Sequence, residues 1–145
     1  MRYRMADLVG SPAIIAKGLE NSYRDEPAAG AIEGPAALFF GGIWTPSPST
    51  EQVWETEMRC HLMTLATGRR FAEINALEEL IVPITDLFAP GTDGYQLRVP
   101  GEPGMVHHCF PLKWEVIDEM LYDEVAYTVV VGYFSVKFHR DAGEE

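Results

Sequence analysis

Cysteine is scarce in this sequence: Cys60 and Cys109 are its only two. Two thiols cannot build a disulfide framework, so an intracellular, reducing setting is the default expectation. Long apolar runs are missing as well. None approaches the roughly 18–20 residues that cross a bilayer, and the N-terminal MRYRMADLVG has neither the apolar core nor the cleavage site of a signal peptide. A soluble protein without membrane contact is expected. Basic residues are outnumbered, 11 Lys and Arg against 22 Asp and Glu, which leaves a net charge of −11. Nucleic-acid binding needs a basic patch that displaces counterions from phosphates. Here the cations are scattered: Arg2 and Arg4, the pair Arg69–Arg70, then single residues. Specific DNA or RNA binding is therefore disfavoured, and solubility is the plain consequence of the charge.

Catalytic signatures are also wanting. The sequence has no phosphate-cradling glycine loop, no HExxH and no Cys-x-x-Cys. Cys60-His61 and His107-His108-Cys109 would suit zinc if their strands were neighbours. Successive strand residues point to opposite faces, however, so His108 and Cys109 cannot both aim at one ion. The pairs Glu78–Glu79, Asp118–Glu119 and Asp123–Glu124 read as a solvated helix face and turn flanks. General acid–base work needs a carboxylate with a shifted pKa. The expectation is a protein that is not an enzyme, with no cofactor, no metal and no catalytic residues.

What is present is enough for one folded domain over 1–145. The chain is 47% hydrophobic and 23% charged, and a domain of this length buries roughly 70% of its unfolded surface. The N-terminal few residues and the tail 140–145 look loosely ordered. Ser11-Pro12 marks a helix start, with proline at the first helical position, followed by Ile14, Ile15, Gly18 and Leu19. Residues 21–34 read as a loop, and Pro35 leads into the buried strand Ala36-Ala37-Leu38-Phe39-Phe40, ended by Gly41-Gly42. The TPSPST stretch at 45–50 is a turn-rich tip.

From Trp54 to Leu62 polarity alternates strictly. Trp54, Thr56, Met58, Cys60 and Leu62 share one face, and Glu55, Glu57, Arg59 and His61 the other. A helix follows, with Phe71, Ile74, Leu77, Leu80, Ile81 and Ile84 at helical spacing. Pro83 interrupts it, which predicts one helix to about Val82 and a second from Pro83 to Phe88. Residues 90–104 read as a surface excursion with room for a short strand at Tyr95–Val99. The third long strand is expected over Val106–Ile117, with Phe110, Leu112, Trp114 and Val116 on its apolar face and His107, Cys109, Lys113 and Glu115 opposite. Pro111 places it at an edge or a bulge.

The last strand, Val125–His139, is apolar on both faces. Tyr127, Val129, Val131 and Tyr133 lie on one, and Val130, Phe134, Val136 and Phe138 on the other. Such a strand is usually covered on both sides, and helices are too few here. A neighbouring subunit is the simplest cover, with partial cover by the N-terminal helix as the alternative. The predicted fold is α+β: a mainly antiparallel sheet of four or slightly more strands, helices on one side, in the order α-β-β-α-β-β. Trp54 and Trp114 belong to the core, whereas Trp44 is the best interface anchor.

In this order and patterning the chain resembles the tail terminator (tail completion) proteins of long-tailed phages and related gene-transfer particles. The resemblance is carried by Pro35–Phe40, the alternating strand Glu55–Ala66, the broken helix after Arg70, and the closing strands His107–Val116 and Ala126–His139, the last with VAYTVVVGYFSVKF. It implies a homohexameric ring at the head–tail junction of a virion, assembled in the host cytoplasm. Such a ring caps the tail tube, stops its polymerisation, joins the tail-tube and head-completion or connector proteins, and passes DNA without binding it specifically. The expected contact residues are Trp44, Pro46, Pro48, Tyr95, Arg98, Tyr127, Val129, Val131 and Tyr133. Alternatives are another neck, connector or tail-tube subunit, or a small ligand-binding or enzymatic domain using His61, His107 and His108.

Overall fold

The computed structural model describes residues 1–41, 44–46 and 53–139. The chain opens with two helices, α1 (Arg2–Val9) and the single turn α2 (Pro12–Ile15), before the strands β1 (Asn21–Ser22), β2 (Ala36–Phe40), β3 (Trp44–Pro46) and β4 (Val53–Leu65). The helices α3 (Arg70–Glu78) and α4 (Ile81–Leu87) follow, then a 3-10 turn at Asp93–Gln96 and the long hairpin β5 (His108–Tyr122) and β6 (Val125–His139). The class is α+β and the sheet mostly antiparallel. Two helices precede four strands instead of the expected α-β-β opening, and among the described residues the sheet has six strands where four or slightly more were expected. Their order is β1-β2-β4-β6-β5, with β3 beside β4 and β1 parallel to β2.

Among the described residues the four α-helices share one side of the sheet. Met5, Val9 and Ile14 of α1–α2 and Leu77, Leu80, Ile84 and Phe88 of α3–α4 pack on Phe39, Met58, Cys60, Leu62, Val130, Phe134 and Phe138 of the sheet. Fully burying each such side chain is worth about 1.5–3 kcal/mol, so this layer is the main source of stability. The N-terminus is therefore not loose: α1 buries Met5, Ala6 and Val9. Its sequence carries charges between those positions, which hid a face only three residues wide. Ser11 does hold the N-cap backbone position with Pro12 next to it, but its hydroxyl makes no capping bond.

Pro83 is accommodated differently from the expected break at 82–83. The first helix stops at Glu78 and the second is capped by Leu80, which puts Pro83 in the first turn of α4. There its missing N–H has no intrahelical acceptor to lose. Phe71, expected on the buried stripe, is 83% exposed.

Two bulges reorganise β5. Its register with β6 shifts between Pro111 and Lys113 and again between Val116 and Asp118, and each extra residue reverses the faces that follow. Cys109 consequently lies in the helix-side core beside Val136, on the same side as Trp114, while Leu112 is turned outward. The predicted face of Phe110, Leu112, Trp114 and Val116 is thus split. The strand also runs on to Tyr122, and Asp123 and Glu124, both at positive φ, form the tight turn into β6. Positive φ at both central residues is the geometry that matches the twist of a two-residue hairpin.

Candidate assembly surface

β6 runs through the middle of the sheet, between β4 and β5. Its even face meets the helices, as Val130, Phe134, Val136 and Phe138 all belong to the helix-side core. Its odd face is covered by the chain itself, not left for a neighbour. Tyr127, Val129 and Val131 are buried with Ile32, Ala36, Leu38 and Met63, and Tyr23, Leu65, Met120 and Tyr122 pack around them. The lid is the stretch 23–33, which the sequence offers only as a loop. It is pinned by the Tyr127 hydroxyl donating to the Ile32 carbonyl at 3.1 Å. The Tyr122 hydroxyl shares its one proton between Glu26 Oε1 at 3.0 Å and the Pro27 carbonyl at 2.9 Å. Burial and the Glu26 carboxylate push the Tyr122 phenol up to about 12. A neighbouring subunit was the simplest expected cover for Tyr127, Val129 and Val131, with the N-terminal helix as the alternative; instead the chain's own stretch 23–33, which holds a 3-10 turn at Ala29–Ala31, removes them from water.

The lid stops short of the β3 end of the sheet. Beyond it the same face carries Phe40, Arg59, Lys113 and the half-buried Tyr133, with the Lys113 ammonium 4.8 Å from the Tyr133 ring centroid. A groove of about 620 Å3 opens here, lined by Thr45, Glu55, Glu57, Arg59, Leu112 and Ser135. Glu55 pairs with Lys137 at 3.8 Å and Lys113 with Glu115 at 3.8 Å. His61 packs its ring 4.5 Å from that of Phe40. Burial, helped by the Arg59 charge, lowers its pKa to about 4.

Along one side of this face runs β5, an edge strand of fifteen residues. Its outer backbone is unpaired among the described residues, and Leu112, Val116 and Leu121 on it are 52%, 43% and 70% exposed. A long unpaired edge is a template for another chain, and on this one the exposed Lys113, Glu115, Asp118 and Glu119 alternate with those apolar residues and narrow the choice of partner. Pro111 and the two bulges twist it, which restricts how a partner strand can pair.

The remaining predicted contact residues are dispersed. Trp44 sits in β3, 45% exposed, edge-on to Phe138 at 4.8 Å. Pro46 is exposed opposite Trp54, and Pro48 lies outside the described residues, as does the tail 140–145. Tyr95 and Arg98 lie in and just after the 3-10 turn, where the sequence suggested a strand. That stretch is tied down rather than free. Leu97, at φ 52°, is fully buried, and Arg4 of α1 donates to its carbonyl at 3.0 Å and to that of Pro103 at 2.6 Å. Arg4, an apparently scattered cation, is the residue sequence reasoning missed, because only tertiary proximity gives it a partner 93 positions away.

The histidines and cysteines do not assemble into a site. With β6 between β4 and β5, Cys60-His61 on β4 is not adjacent to His108-Cys109 on β5 or to His107 just before it. Among the described residues no group of three His, Cys, Asp or Glu is placed to hold a metal. Burial raises the pKa of both thiols far above the ordinary cysteine range. Among those residues no helix is long and apolar enough to cross a membrane. Compared with protein-family models and with curated proteins, the sequence matches none.

Proposed function

We propose that this chain is a structural subunit of a ring at the head–tail junction of a phage-like particle, capping the tail tube and joining it to the head-completion proteins. The reading rests on the order and patterning of elements, which resembles the tail terminators, and one structural observation carries it further. The fifteen-residue edge β5, with exposed Leu112, Val116 and Leu121, is suited to contact with another chain. The neighbouring groove, with Tyr133 at its margin, extends that surface. Trp44 and Pro46 project from the opposite, β3 side of the sheet, which would let one subunit present different surfaces to its neighbours and to the tube. An acidic chain of net charge −11 suits a lumen through which DNA passes without sticking, since like charges repel.

Native mass spectrometry tests this, with the chain alone and mixed with a tail-tube protein. Six-subunit rings are expected, and they should weaken when Leu112 and Leu121 are both replaced by Lys. Monomer under every condition, tube protein included, would sink the proposal.

A further inference from the structure

On the helical layer, away from β5 and its groove, a second cleft of about 620 Å3 opens between the α1–α2 corner and α4. That volume lies within the range of sites that hold small ligands or a few side chains, roughly 300–1,000 Å3. Its walls are mainly apolar, with Leu8, Ile14, Leu87 and Val99 among them. Ser11 also lines the cleft.

The rim is charged with one dominant sign. Asp7, Asp86 and Asp93 border the cleft, against a single Lys17. Asp7 is engaged by Arg24 at 3.3 Å. Asp86 and Asp93 are exposed and make no ion pair among the described residues. An apolar floor beneath two unneutralised carboxylates complements a group that is greasy at one end and cationic at the other.

We propose that this cleft receives a short segment of a partner protein presenting an aliphatic or aromatic side chain next to a lysine or arginine. The apolar side chain fills the floor and the cation lies between Asp86 and Asp93. The inference stands whether or not the chain forms a ring, because the cleft shares no residue with β5 or its groove.

The test is a two-dimensional amide NMR titration of the full chain with two capped tripeptides, leucine–lysine–leucine and leucine–glutamate–leucine. Lysine-peptide shifts should concentrate at Leu8, Gly10, Ala13, Leu87 and Gly94. The glutamate peptide should bind about tenfold more weakly, and D86N/D93N should weaken the lysine peptide roughly fivefold, as expected for exposed ion pairs. Both aspartates are exposed, so the variant should fold normally, and the glutamate peptide gives a comparison that needs no variant. Equal binding of the two peptides, shifts confined to other surfaces, or no shifts at all would each overturn the proposal.

Discussion

The indole ring of Trp114 covers Gly132, its register partner on β6, so closely that a Cβ at Gly132 would stand 2.6 Å from the ring. Glycine inside a strand costs stability, and here the close approach of the neighbouring strand's largest side chain explains it. The same ring donates from Nε1 to Thr85 Oγ1 at 2.9 Å and lies edge-on to Phe134 at 5.9 Å. One side chain thus joins β5, β6 and α4. Gly132→Ala should destabilise by about 1–3 kcal/mol through overpacking, measured by urea denaturation. Gly132→Ala combined with Trp114→Phe should recover part of that loss, since the smaller ring leaves room.

Glu73 accepts three hydrogen bonds, from the Thr67 amide at 2.9 Å, the Thr67 hydroxyl at 2.8 Å and the Thr128 hydroxyl at 2.8 Å. These bonds, the Thr67 amide first, hold its carboxyl below the ordinary glutamate range. A depressed carboxylate stabilises the fold above its unfolded pKa, and that contribution is lost as pH falls through the folded value. Glu73→Gln should cost less than about 1 kcal/mol at pH 7, because solvent screens this partly exposed carboxylate, and the gap from wild type should close in acid, as a pH series of denaturation midpoints would reveal.

His61 gives a second acid-sensitive step. Its folded pKa of about 4 lies below the unfolded value of roughly 6.5, so the unfolded chain binds the extra proton between those limits. Stability is complete above about pH 6.5 and falls steadily toward pH 4. His61→Phe, which keeps a ring beside Phe40, should flatten that part of the stability–pH curve while leaving the Glu73 step in place.

Tyr127→Phe tests the lid over the second sheet face. Losing the bond to Ile32 leaves a buried carbonyl without that donor, at a cost of about 1–2 kcal/mol. Hydrogen exchange should quicken in 26–33, and hardly at all in α3.

Neither thiol should react with a disulfide reagent at pH 8 while the protein is folded, because Cys60 and Cys109 are both fully buried and only an accessible thiolate attacks. Two thiols should appear on adding guanidinium. One fast-reacting thiol in native protein would contradict the placement of Cys109 on the core face.

Elements with a strong period were legible. The alternation from Trp54 to Leu62 became β4 with Thr56, Met58, Cys60 and Leu62 buried as read, and Val125–His139 became β6 with those same ends. Pro111 was expected at an edge or a bulge, and it sits on an edge strand beside a bulge. Helix α1 was missed because Arg2, Arg4 and Asp7, three of its eight residues, put charges around the buried Met5, Ala6 and Val9. The faces of β5 were misassigned because a bulge adds one residue without any change in side-chain pattern. The candidate surface was legible least of all. Trp44 and Tyr133 keep some exposure, but the exposed leucines of β5 gain meaning only from its place at the sheet edge.

By itself the sequence determined that this chain is acidic and of the α+β class, with strands and helices where apolar side chains recur at periods of two or near 3.6. It also determined that β6 is apolar on both faces, since that is a property of side chains alone. What lies against each face is a property of the whole chain, and only the tertiary structure decided it. A loop of polar and small residues carries little hydrophobic pattern. Yet once the hairpin and β4 stand side by side, Ile32, the Tyr127 hydroxyl and the Tyr122 hydroxyl close 23–33 over the odd face, and the exposed surface passes to the edge of β5.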